Sequence, residues 1–134
     1  MSKQPLDPSN IVVVVGALPS PPRVRTLPSG DELLEFDVTT RGPSGAMSVP
    51  VSWFAAPADH GLAVGSCVAV AGSVRRRFFR AGGSTQSRTE IVAARVVDAT
   101  KRAALGRLTA DVARAVGDAA VRSPTDRPVS VAVG

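Results

Sequence analysis

Between Gly72 and Arg95 the chain carries Arg75, Arg76, Arg77, Arg80, Arg88 and Arg95 against one carboxylate, Glu90. On an extended strand, residues two apart share a face. Ser73, Arg75, Arg77 and Phe79 therefore form one row, expected to face outward, while Val68, Val70, Val74 and Phe78 are expected to face a core. The outward row sets two guanidinium groups beside an aromatic ring. A guanidinium donates two parallel hydrogen bonds to a phosphate, and a ring gives an unpaired base a surface to stack on. That chemistry suits a polyanion with stackable bases. The same row also fits a solvated basic strand whose Phe79 packs against a neighbouring subunit. Arg80 and Arg88 extend the basic hairpin, and Arg23 and Arg25, flanking Val24, extend a basic track elsewhere. Trp53 and Phe54 end another extended run, and whichever of them faces outward offers a second stacking site. Parity does not choose between them, because Pro50 upstream is able to bulge the strand.

Catalytic arrangements are harder to find. No Gly-rich loop leads into Lys and Ser or Thr, so there is no phosphate-loop motif. Cys67 is the only cysteine and His60 the only histidine, which excludes disulfide frameworks, Cys clusters and His pairs for zinc. Cys67 lies in an apolar run and reads as a buried, inert thiol. Asp59 and His60 are adjacent but have no nucleophile or metal partner nearby in sequence. Glu35 and Asp37 share a strand face and read as solvated carboxylates. The expectation is a binding protein, with no enzymatic activity, no metal and no cofactor.

These residues need strands to hold them. Residues 10–18 hold the β-branched run Ile11 to Val15, and residues 32–40, 47–54, 66–80 and 88–97 complete five predicted strands. Pro19, Pro21 and Pro22 predict an irregular segment after the first. Gly82-Gly83-Ser84-Thr85-Gln86 predicts the flexible tip of a long hairpin between the fourth and fifth. Residues 55–64 read as either a turn or two of helix or a plain connection. Five short strands with polar turns predict a mainly β fold, a five-stranded Greek-key barrel of the OB type; an open β-sandwich is the alternative. Leu105, Leu108, Val112, Val116 and Ala119 then recur at helical spacing, with Asp98 or Thr100 placed to cap the start. This predicts a C-terminal amphipathic helix whose apolar stripe packs on its own barrel or on another subunit. The organisation expected is a flexible arm over residues 1–9, a barrel over 10–99, a helix over 100–120 and a tail over 121–134, where residues 129–133 could add a strand to a neighbour.

The chain has 134 residues, with 44% hydrophobic residues and a net charge of +5. That is enough apolar material for one core. Fourteen of the sixteen basic residues are arginine. An arginine excess suits phosphate contacts and also fits the codon bias of a GC-rich genome, and composition alone does not choose. No apolar run is longer than Ile11 to Val15, which is too short to cross a bilayer, and the first ten residues lack the pattern of a secretion signal. A cytoplasmic protein without membrane association is expected.

In order along the chain, several segments resemble bacterial single-stranded DNA-binding proteins. Residues 10–18 resemble the opening strand of that family, and residues 22–30, Pro-Arg-Val-Arg-Thr-Leu-Pro-Ser-Gly, its next stretch. Residues 64–72 resemble the fourth strand, bounded by glycines; residues 73–79 resemble the hairpin arm, and residues 89–93 the closing strand. The resemblance covers roughly residues 10–98. It implies an OB-fold that binds single-stranded DNA with little sequence preference, in replication, recombination or repair, as a nucleoid-associated homo-oligomer, tetramer or dimer. It places Phe79 at a base-stacking position, Trp53 or Phe54 near another, and Arg75 and Arg77 on the arm that follows the DNA backbone. Thr39, Thr40 and Ser48 stand where that family usually has further aromatics. The acidic, Phe-ended tip through which the family recruits protein partners is absent, so partners of that kind are not expected. The expectation is a divergent paralogue. The alternative is an OB module for protein interaction that has lost DNA binding.

Overall fold

The computed structural model describes residues 4–122, with side chains through residue 119. It contains six strands and one helix: β1 (Val12–Ala17), β2 (Arg23–Thr26), β3 (Glu32–Gly42), β4 (Gly45–Phe54), β5 (Cys67–Ala81), β6 (Ser84–Asp98) and α1 (Arg102–Arg122). The expected tail and its 129–133 segment lie outside the described residues.

All five expected strands are present, and β2 is an additional one. The prolines end at Pro22, and Arg23-Val24-Arg25-Thr26 pairs with Glu32 to Glu35 as an exposed edge. Edge strands tolerate flanking prolines because one side needs no ladder. Residues 55–64 form a connection without helix. Gly82 and Gly83, both at positive φ, make the hairpin turn alone, so β6 begins at Ser84, earlier than the expected residue 88.

The strands pair in the order β1-β5-β6-β4-β3-β2, and β1 also meets β3. All pairs are antiparallel except β4 with β6, which run parallel. The pairings from β1 through β5, β6, β4 and β3 return to β1 and make a ring, but an unevenly closed one. Only Ala17 with Thr39 joins β1 to β3, and only Val51 with Ile91 and Ser52 with Val92 join β4 to β6. Gly16 sits at the first of these joints. A Cβ there would meet the Thr39 carbonyl oxygen at 2.1 Å, so the closure requires glycine.

Strand alternation builds two apolar layers. Leu34, Phe36, Val38, Val51, Val68, Val70, Ile91 and Ala93 point inside the ring with Leu18. On the opposite side of β5, Ala69 and Ala71 lie under Leu108 of α1, with Leu6, Val97, Leu105 and Val112 around them. The helix thus packs on its own sheet, and two alanines let it approach closely. Asp98 prepares its start: one carboxylate oxygen accepts from Thr100 N (2.9 Å) and from Thr100 Oγ1 (2.6 Å). The first helical bond runs from Leu105 N to the Lys101 carbonyl, so the capping position falls to Lys101 and neither Asp98 nor Thr100 occupies it. Among the described residues, no helix is long and apolar enough to cross a membrane.

Candidate nucleic-acid interface

β4 runs through Pro50 with no register shift, at a point where only β3 pairs with it. Its alternation is therefore intact, and this settles Trp53 against Phe54. Trp53 shares the inner side with Val49 and Val51 and packs against the inner cluster. Phe54 shares the outer side with Ser52.

The outer side continues across the sheet, because directly paired residues share a face. On the hairpin it carries Arg75 opposite Glu90, Arg77 opposite Arg88 and Phe79 opposite Gln86. The Glu90 side chain is only 2% exposed and receives both neighbours: Arg75 Nη2 pairs closely with its Oε2, and Arg77 Nη2 lies 3.9 Å from its Oε1. Ser52 Oγ also donates to Oε2 at 3.3 Å. The Arg75 guanidinium stands over the Phe54 ring, 5.6 Å from its centroid. A buried carboxylate is stable only when paired and hydrogen-bonded, and two guanidiniums on one carboxylate leave one net positive charge. Arg75 Nε and Arg77 Nε are buried with no hydrogen-bond partner among the described residues.

The outward row is therefore on one face, but its cations are not free as expected; they are bound to Glu90. The opposite row departs further. Val74 and Phe78 were expected in the core and are 44% and 65% exposed. β5 pairs with β1 only as far as Gly72, and β6 meets β4 only at Ile91 and Val92, so the hairpin beyond them projects past the ring. Asn10 borders this row: its side chain donates to the Val74 carbonyl (2.8 Å) and accepts from Val74 N (3.0 Å). Phe79, on the arginine side, is 38% exposed. Arg80 belongs to the Phe78 side and donates to the Gly83 carbonyl at 3.4 Å.

At the far end of the outer face, Arg23 pairs across from Glu35 and Arg25 across from Leu33. Arg25 Nη1 lies 3.8 Å from Glu35 Oε2. Asp37 and the hydroxyl pair Thr39–Ser48, 2.7 Å apart, occupy the face between. Cys67, expected to be buried, is exposed, because it begins β5 at the sheet's end. His60 Nδ1 accepts from Leu62 N at 2.9 Å and serves the connection it sits in. No group of three or more His, Cys, Asp or Glu side chains is placed to hold a metal among the described residues.

Sequence reasoning missed the role of Glu90 and Ser52. The signal for Glu90 was present: a two-residue turn at Gly82-Gly83 fixes the hairpin register and sets Arg75 opposite Glu90. The contact with Ser52 depends on the parallel joint of β4 and β6, which no local pattern announces.

Comparison with protein-family models finds no match to this chain, and comparison with curated proteins finds none either.

Proposed function

We propose that this chain binds single-stranded DNA with little sequence preference, as an OB-type barrel related to bacterial single-stranded DNA-binding proteins. The observation that carries the reading is one continuous sheet face on which the Phe54 and Phe79 rings alternate with Arg75, Arg77 and Arg88. Rings stack bases and arginines neutralise phosphates, so the pair of terms suits an unpaired strand. The ring of pairings, with its single parallel joint and long hairpin, supports the OB reading. A role in replication, recombination or repair follows from this binding mode, and exposed Val13 and Val15 along β1 support a homo-oligomer, dimer or tetramer.

The test is titration of labelled oligo-dT at several salt concentrations, followed by anisotropy. Binding that weakens steeply with salt and depends little on base composition is expected. Absence of binding at low salt would overturn the reading.

Specific features favour a second reading, an OB module for protein interaction without DNA binding. Glu35 and Asp37 lie on the same face and repel phosphate, and a hydroxyl pair stands where further rings would stack. In that case the same titration gives no signal.

A further inference from the structure

We infer that the groove between α1 and β6 takes one nucleotide of the bound strand, with its base against Trp53 and its phosphate on Arg107. This rests on the proposed single-strand binding and adds a site outside the hairpin. The groove encloses about 410 Å³, within the usual range of small-ligand sites, roughly 300–1,000 Å³. Trp53, Ala94, Val97, Arg107 and Leu108 are among its walls. Trp53, inward on β4, forms its aromatic side because β4 and β6 part after Ser52 and Val92. From Ala93 to Asp98, β6 has a strand partner on the β5 side only. That edge has no strand partner beside the tryptophan, although the Ala94 carbonyl already accepts from Arg95 at 3.0 Å.

Charge marks the phosphate end. Asp111, one turn from Arg107 on the same helix, is already paired with Arg95 and Arg114, at 3.4 Å each. Arg95 also donates to the Gln4 carbonyl. Arg107 is exposed and has no ion-pair partner among the described residues. It is the cation the groove leaves uncommitted. The groove also continues the proposed interface. Ala94 lines both this groove and the neighbouring cavity that includes Phe54. The two cavities therefore adjoin at Ala94, beside the Arg95–Gln4 contact.

Trp53 is the only tryptophan, so intrinsic fluorescence reports on its surroundings, this groove and the cavity on its Leu62 side, and the Arg107 variant separates the two. The experiment titrates the full chain with labelled oligo-dT of about 16 nucleotides, the upper site size for one such barrel. Anisotropy follows total binding, and tryptophan emission follows the surroundings of Trp53. Binding should quench Trp53. Arg107→Glu should abolish most of the quench and weaken affinity about tenfold, as expected for one lost stacking position. Arg102→Glu makes the same charge change on the same helix away from the groove walls, and should alter both readouts far less. Bound DNA with unquenched Trp53 would overturn the inference while leaving single-strand binding intact, and would point to another occupant, such as a peptide strand on the free edge of β6. Equal effects of the two reversals would overturn it as well, reducing Arg107 to diffuse charge. No binding in either readout would overturn the proposed function and this inference together.

Discussion

Glu90 stands directly across the hairpin from Arg75, and its carboxylate is buried beneath that residue's guanidinium. The contact fixes the orientation of the arginine plane over Phe54. Arg77 reaches the same carboxylate from two residues along. A basic ribbon of this kind is more than a row of charges. One acid organises two cations and cancels half of their sum.

The salt dependence of binding should register that cancellation. Each phosphate neutralised on a single strand contributes about 0.7 to the logarithmic salt slope. Arg75→Ala with Arg77→Ala also uncovers Glu90, so the pair changes from one net positive charge to one negative. The slope should flatten by more than about 0.7, the loss for one effective contact. Glu90→Gln frees the second guanidinium and should steepen the slope by about 0.7. Affinities measured across a salt series check both. A flatter slope in Glu90→Gln would show that the carboxylate positions the arginines without limiting their charge.

The two adjacent rings should separate cleanly. Phe79 shares the face of Arg75 and Arg77, whereas Phe78 faces the other way. Phe79→Ala should weaken oligonucleotide binding by about 1–3 kcal/mol. Phe78→Ala should leave it nearly unchanged, although Phe78 is the more exposed ring. Anisotropy titrations on both variants test the assignment. The reverse ranking would move the interface to the other side of the hairpin.

The helix should contribute to the stability of the sheet that it covers. Leu108 is buried against Ala69 and Ala71. Leu108→Ala should cost about 2–5 kcal/mol, as large-to-small changes in a packed layer do. Denaturant unfolding would measure it. A loss below about 0.5 kcal/mol, the scale of ordinary surface substitutions, would mean that the helix is only loosely docked.

Much of this arrangement was legible in the sequence because it depends on local periodicity. The alternation of residues 33–38 and the helical spacing of Leu105, Leu108 and Val112 each encode an element directly, and the glycines at 82 and 83 announce a hairpin although its turn is shorter than the expected 82–86. The exposure of Val74 and Phe78 was not legible. Parity says which side a residue takes, but only tertiary pairing says whether anything lies on that side, and here β1 stops short of them. Trp53 against Phe54 was undecidable for a related reason. Pro50 permits a bulge, and the absence of one depends on β6 joining β4 only from Val51 onward. The docking of α1 on its own sheet was likewise open until Ala69 and Ala71 could be placed outside the ring.

The start of the helix should be sensitive to acid. Hydrogen bonds from the Thr100 hydroxyl and the Thr100 backbone N–H hold the Asp98 carboxyl below its usual value, with Lys101 adding a smaller electrostatic contribution. A carboxyl whose pKa is lower folded than unfolded binds protons more readily in the unfolded chain. Its stabilising effect is therefore full above the unfolded value of about 3.9 and fades as pH falls through the lower folded value. Asp98→Ala should accordingly melt at a lower temperature than the parent protein near neutral pH. The gap should narrow as the medium is taken below about pH 4. Thermal unfolding followed by circular dichroism at a series of pH values measures this directly. A gap that stays constant into acid would show that Asp98 acts through its backbone and shape, independently of its charge.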